Sequence, residues 1–157
     1  MRVLGIDPGF ERIGWAVVDR IGSRVTTPAY GLIKTPKGPL GPRLLQIQDE
    51  MAALITEHHP EALALEKLFF TKNQTTAMDV ARASGVILVT CCSKGLEVTE
   101  YSPPEIKLSI VGHGGAEKKQ IQFMVTKLLN LPGPPKPDDV ADALAIALCH
   151  ALRTPGR

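Results

Sequence analysis

The sequence is poor in cysteine, in aromatic residues and in net charge, and each shortage excludes a class of protein. Its three cysteines form no C-x-x-C pair, which argues against a disulfide framework, a structural zinc site and a thioredoxin-like motif. The net charge is only +2, which does not by itself indicate nucleic-acid binding. No apolar run approaches the roughly 20 residues that span a bilayer, and the N-terminus reaches Asp7 too early for a signal peptide. We therefore expect a cytoplasmic protein that does not act at a membrane.

What remains has the composition of an ordinary globular domain. The chain has 157 residues, of which 44% are hydrophobic and 22% charged. A chain of this length can bury a full hydrophobic core without support from disulfides or a structural metal. We therefore expect residues 1–157 to form a single domain.

Hydrophobic periodicity predicts an α/β protein. Strands are expected at 2–6, 13–18, 24–34, 62–65 and 96–101, and helices at about 44–59, 75–94, 103–111, 117–129 and 138–152. Strands 1 to 3 are joined by short turns and can pair antiparallel, whereas the helix-linked strands 1, 4 and 5 can pair parallel. The pattern therefore predicts a five-stranded mixed sheet with helices on its faces.

Acidic residues stand at the ends of the predicted core strands. Asp7 follows the first strand and Glu66 the fourth, so the two carboxylates meet at one edge of the sheet if these strands are neighbours. The last helix adds Asp139 and Asp142, which share a face because they are three residues apart. The sequence thus indicates a cluster of carboxylates.

The negative charge of such a carboxylate cluster must be neutralised, either by protonation or by bound cations. Two unit charges 4 Å apart repel by about 4 kcal/mol at an effective dielectric constant near 20. All-oxygen, carboxylate-rich sites suit Mg²⁺ or Mn²⁺ rather than zinc, and two such cations can clamp the attacking and leaving oxygens of a phosphodiester. The residues therefore favour a metal-dependent phosphodiesterase.

Each acid also has an ordinary structural interpretation. Asp138 or Asp139 can cap the last helix, Asp7 can be a turn residue before Pro-Gly, and Glu66 can pair with Lys67 or Lys72. The joint pattern is harder to explain in this way, because burial penalises acids at the ends of core strands.

Four segments resemble the RuvC-type Holliday junction resolvases, and they follow one another in order along essentially the whole chain. They are Gly5-Ile6-Asp7-Pro8-Gly9 with Gly14, Leu65-Glu66-Lys67-Leu68-Phe69-Phe70-Thr71-Lys72-Asn73, Val111-Gly112-His113-Gly114-Gly115-Ala116-Glu117-Lys118, and Ala141-Asp142-Ala143-Leu144-Ala145-Ile146-Ala147.

The resemblance implies a ribonuclease H-like fold and a Mg²⁺-dependent endonuclease that nicks four-way DNA junctions in recombination and repair. It implies a homodimer, with the branch-migration complex of RuvA and RuvB as partner. The matched metal-binding catalytic acids are Asp7, Glu66, Asp139 and Asp142, and Lys118 matches a basic residue near the scissile phosphate. Residues matched to DNA contacts are Phe69, Lys107 and Lys118.

The chain departs from the family pattern at two places that bear on the site. An extra acid, Asp138, precedes the matched Asp139, and spacing alone does not choose between them because both share a helix face with Asp142. The resemblance selects Asp139, and Asp138 follows Pro137 where an N-cap is expected. Phe10 replaces the small polar residue expected after Asp-Pro-Gly.

Two other functions compete with this interpretation. Asp7-x-Gly9 followed by Gly14 also resembles the phosphate-binding hairpin of actin-like ATPases and sugar kinases, but those proteins need two such domains. A non-enzymatic DNA-binding module accounts for the lysines between 105 and 136, but leaves the carboxylates unexplained, because clustered acids oppose phosphate binding without a metal.

Overall fold

The computed structural model describes residues 1–68 and 74–154, except for the side chains of residues 74 and 75. The elements are, in chain order, β1 Arg2–Asp7, β2 Arg12–Ile21, β3 Arg24–Lys34, α1 Leu40–His58, β4 Ala62–Glu66, α2 Gln74–Ser93, β5 Glu97–Tyr101, α3 Pro103–Val111, α4 Lys118–Leu128 and α5 Asp138–Arg153. The predicted elements are confirmed to within a few residues at each end.

One mixed sheet organises the protein, with the strand order β3-β2-β1-β4-β5. The strand β2 pairs antiparallel with β1 and with β3, whereas β4 pairs parallel with β1 and with β5. The sequence-based prediction of the sheet is therefore confirmed. Because β1 is central and parallel to β4, the carboxyl ends of these two strands lie side by side at one edge.

The two faces of the sheet carry separate hydrophobic cores. Alternation along β1 directs Leu4 and Ile6 toward α1 and α2, and directs Val3 toward α5. The helices α3 and α4 pack with α5 on its side of the sheet. Helices thus cover both faces, as predicted for a ribonuclease H-like fold.

Local sequence signals fix the helix ends. His59 adopts a left-handed conformation that closes α1 just before Pro60. A capping box between Ser102 and Glu105 starts α3, and Gly112 ends it with φ of 89°. These signals set the short connections that hold α3 beside α5.

The helix α2 is more apolar than the sequence analysis allowed. Within the described residues, Thr76–Ser93 is the one segment long and apolar enough to cross a membrane by length and composition. Core helices of soluble proteins meet the same criterion, and α2 buries Ala83, Ile87 and Cys91 completely. Its other side leaves Met78 and Val89 largely exposed.

Candidate active site

The central strands bring the first two predicted acids to one edge. Ile6 of β1 is paired with Leu65 of β4, and the next residues along the two strands are Asp7 and Glu66. Both are partly buried where the strands end. The expectation that the acids share one edge of the sheet is confirmed.

The helix α5 brings Asp139 and Asp142 to the same place because glycines let it approach the sheet closely. A Cβ on Gly14 of β2 would lie 1.9 Å from the backbone oxygen of Asp139. A Cβ on Gly5 of β1 would lie 2.5 Å from the backbone oxygen of Ala143. Only a hydrogen fits in these two gaps, so the glycines set the position of the acidic end of α5.

Burial and repulsion from neighbouring carboxylates disfavour ionisation of Asp7, Glu66 and Asp142. Burial, followed by the charges of Asp142, Glu66 and Asp139, raises the pKa of Asp7 to about 8. Burial is also the main cause of the raised pKa of Glu66 and of Asp142. The carboxylates therefore form one electrostatically coupled group centred on Asp7.

Two basic side chains hold the acids of α5. The Nζ of Lys118 lies 3.0 Å from Asp142 Oδ2 and 3.2 Å from Asp138 Oδ2. Arg12, at the start of β2, forms an ion pair with Asp139 through its Nη2 atom. Lys118 is the first residue of α4 and Arg12 is the first residue of β2. The two basic side chains therefore reach the acids of α5 from two different elements.

A cavity of about 270 Å³ adjoins the acids. Its polar lining is Glu66, Asp142, Lys107 and Lys118, and its apolar lining comes from α3, α4 and α5. The structure thus places both predicted lysines beside two of the predicted acids. Phe69, the remaining predicted DNA contact, lies outside the described residues.

The unexpected Phe10 is accommodated by a buried arginine. The guanidinium of Arg43 lies 3.7 Å from the centre of the Phe10 ring, and its Nη2 donates to the Phe10 carbonyl oxygen at 3.2 Å. Arg43 also donates to Thr35 Oγ1 at 2.9 Å. These contacts hold the turn between Asp7 and Arg12 by a cation–π interaction and hydrogen bonds.

The donor set fits Mg²⁺ in its chemistry, because Asp7, Glu66, Asp139 and Asp142 offer only carboxylate oxygens. In residues 1–68 and 74–154, no three His, Cys, Asp or Glu side chains form a compact metal-binding group. Lys118 and Arg12 instead engage Asp142 and Asp139, respectively. A cation held by Asp139 and Asp142 would compete with Arg12 and Lys118 for the same carboxylates.

The expected capping role of Asp138 is wrong. Pro137 occupies the N-cap position of α5, and Asp138 is the first helical residue. Its carboxylate accepts a hydrogen bond from Gln122 at 3.1 Å and pairs with Lys118. Lys118 belongs to a different helix, α4, and an argument from the residues next to Asp138 does not include it.

Sequence reasoning missed Arg12 altogether. Strand alternation places Arg12 on the same face as Gly14, but only the fold shows that this face meets α5. Sequence reasoning also did not single out His150. His150 is buried with its Nδ1 3.0 Å from the Tyr101 hydroxyl oxygen, and burial lowers its pKa.

Comparisons with known proteins identify the family of this chain. The family model described as crossover junction endodeoxyribonuclease RuvC matches residues 3–150. A protein of that name from Brevibacillus brevis is 50% identical over 152 residues, which cover 96% of this chain and 92% of the relative. Another from Thermotoga petrophila is 46% identical over 158 residues, covering 100% and 96%.

Solved structures give the same result. The Thermus thermophilus RuvC structure has a TM-score of 0.89 at 36% identity, covering 97% of this chain and 94% of that one. The T. thermophilus RuvC in complex with Holliday junction substrate has a TM-score of 0.91 at 36% identity, covering 97% and 93%. The yeast mitochondrial Holliday junction resolvase Ydc2, at 14% identity and a TM-score of 0.64, shares the fold.

Proposed function

Since this chain belongs to the RuvC family of crossover junction endodeoxyribonucleases, we propose that it resolves four-way DNA junctions by paired, symmetric nicks. Its role would be in homologous recombination and DNA repair in the cytoplasm, with residues 1–157 acting as one nuclease domain. The observation that carries the proposal is the convergence of Asp7, Glu66, Asp139 and Asp142 beside Lys118.

Asp7, Glu66, Asp139 and Asp142 would hold two Mg²⁺ ions, with Mn²⁺ as a possible substitute. Asp7 is suited to face both ions because the other three acids surround it electrostatically. When bound, the cations would supply the positive charge that activates the attacking water and stabilises the leaving 3′ oxygen. Hydrolysis in this way gives 5′-phosphate and 3′-hydroxyl ends.

The lysines would act on the DNA backbone. Lys118 is poised to exchange its contact with Asp142 for the scissile phosphate, whose developing charge it would stabilise. Lys107 lines the same cavity and would contact a neighbouring phosphate. Phe69 is proposed as a DNA contact from the family resemblance alone.

Partners beyond the junction follow from the need for two cuts. A homodimer presents two equivalent sites, so two strands of a symmetric junction can be nicked at matching positions. The RuvA–RuvB branch-migration complex is the proposed protein partner, on the family resemblance.

A cleavage assay on a labelled four-way junction tests the function. We expect Mg²⁺-dependent paired nicks in the junction and none in a linear duplex of the same sequence. Asp7→Asn should abolish nicking while retaining junction binding, because phosphate contacts supply the affinity. Cleavage by Asp7→Asn near the wild-type rate would contradict the metal-site assignment.

A further inference from the structure

Arg12 is a basic residue at the acidic cluster that neither the family resemblance nor the cavity beside Lys118 accounts for. It is the first residue of β2 and lies opposite Lys34 in the antiparallel register between β2 and β3. Arg12 and Gly14 point to the α5 face of the sheet, whereas Ile13 points to the opposite core. Strand alternation therefore directs the guanidinium toward the acidic start of α5.

The contact of Arg12 involves a group that the metal site needs. Its Nη2 donates to Oδ2 of Asp139, and the two side chains remain 50% and 28% exposed. A guanidinium and a divalent cation repel each other strongly over such short distances. Arg12 and a cation are therefore alternative partners of the Asp139 carboxylate.

The surroundings offer Arg12 a second position. A shallow concave surface is lined by Arg12, Lys136, Pro137, Asp138 and Asp139, and it opens to solvent beside the acids. Arg12 and Lys136 are its two basic residues. A half-exposed guanidinium released from Asp139 can turn into this concavity beside Lys136, and both side chains are of the kind that binds phosphate.

We propose that Arg12 is an exchangeable positioning residue: it pairs with Asp139 until a cation takes that carboxylate, and then contacts the DNA backbone together with Lys136. This inference rests on the proposed role of Asp139 as a metal ligand. It couples the loading of the metal site to DNA contact, because the same event that binds the cation frees the arginine.

Calorimetric titration of the DNA-free, chelator-treated protein with MnCl₂ tests the first half of the exchange. Arg12→Gln should bind Mn²⁺ about 5-fold more tightly or better, because the competing charge is removed. Arg12→Lys, which keeps the charge, should stay near the wild-type affinity. Arg24→Gln is the matched control, because Arg24 is exposed at the far end of the same β2–β3 hairpin, and it should behave as wild type.

The salt dependence of junction binding, measured by stopped-flow anisotropy before cleavage, tests the second half. In Mg²⁺, Arg12→Gln should reduce the slope of log affinity against log salt by about 1. In chelator, where Arg12 stays on Asp139, the mutation should leave the slope unchanged.

The outcomes separate this inference from the function on which it rests. If wild type binds Mn²⁺, Asp7→Asn abolishes that binding, and Arg12→Gln has wild-type affinity, the exchange is wrong while the metal site stands. An unchanged slope for Arg12→Gln in Mg²⁺ also overturns the exchange. If wild-type protein binds no Mn²⁺, or Asp7→Asn binds it equally well, the proposed metal site itself fails.

Discussion

The side chains at the site show how far a carboxylate's surroundings depend on tertiary contacts. Asp138 and Asp139 are adjacent and chemically identical, yet one pairs with Lys118 and the other with Arg12. Asp138 is mostly exposed, whereas Asp139 is held against β2 at Gly14. Their roles should therefore differ sharply.

Asparagine substitutions at these two positions should separate the roles. Asp139→Asn should reduce junction nicking by orders of magnitude, because the proposed metal site loses a ligand. Asp138→Asn should keep most activity, since its amide oxygen can still accept the Gln122 hydrogen bond. Nicking rates at saturating Mg²⁺ provide the comparison, and thermal unfolding confirms that both variants fold. The reverse ranking would mean that the assignment is displaced by one residue.

The raised pKa of Asp7 predicts a pH-dependent stability. Between its unfolded pKa near 4 and its folded pKa of about 8, the folded protein retains a proton that the unfolded chain loses. In chelator, the Asp7 contribution to the free energy of unfolding is therefore fully present below about pH 4 and decreases as the pH rises toward 8.

Urea unfolding in chelator at several pH values between 5 and 8 measures this effect. Asp7→Asn cannot ionise at this position, so its stability relative to wild type should increase steadily with pH. A constant difference between the two proteins across this range would show that Asp7 ionises normally.

At the level of helices and strands, the position of α5 on β1 and β2 decides the geometry of the site. The helix buries every residue from Val140 to Ala151 except Asp142, and glycines on the sheet allow its close approach. Small residues at this junction thus serve more than packing, because they determine where the proposed metal-binding acids Asp139 and Asp142 lie.

Gly14→Ala should therefore damage both stability and activity. The added methyl group would overlap the backbone of Asp139, so α5 must shift at a cost of about 1–3 kcal/mol. We expect nicking to fall further than the loss of folded protein explains. Gly41→Ala is the matched control: it lies in α1 with open space around it and should be neutral or stabilising by roughly 0.5–1 kcal/mol. Full activity of Gly14→Ala would show that α5 tolerates displacement.

The molecule as a whole has two different sides. The α3–α5 side of the sheet supports the acids and lysines, whereas the α1–α2 side exposes apolar residues of α2, including Met78 and Val89. An apolar face of this kind on a long helix indicates an interaction surface. A second copy of the chain is the proposed occupant.

Charge introduced on α2 should break the proposed dimer. We expect wild type to sediment as a dimer at micromolar concentration and Val89→Glu to sediment as a monomer, because a buried unpaired carboxylate is unfavourable. Ile21→Glu is the control, since Ile21 is 80% exposed at the end of β2. Monomeric wild type would contradict the dimer, and dimeric Val89→Glu would place the interface elsewhere.

Local pattern was sufficient for the elements, the strand pairing and the acids at the strand ends, because periodicity and turn chemistry are encoded in neighbouring residues. The same is true of Asp7 and Glu66, which simply follow core strands. The outcome for Asp138, the ion pair of Arg12 and the burial of His150 could not be obtained in this way. Each depends on residues distant in sequence, 127 positions apart for Arg12 and Asp139. Only the packing of α5 against the sheet and α4 brings these groups together, and that packing decides which side chains meet.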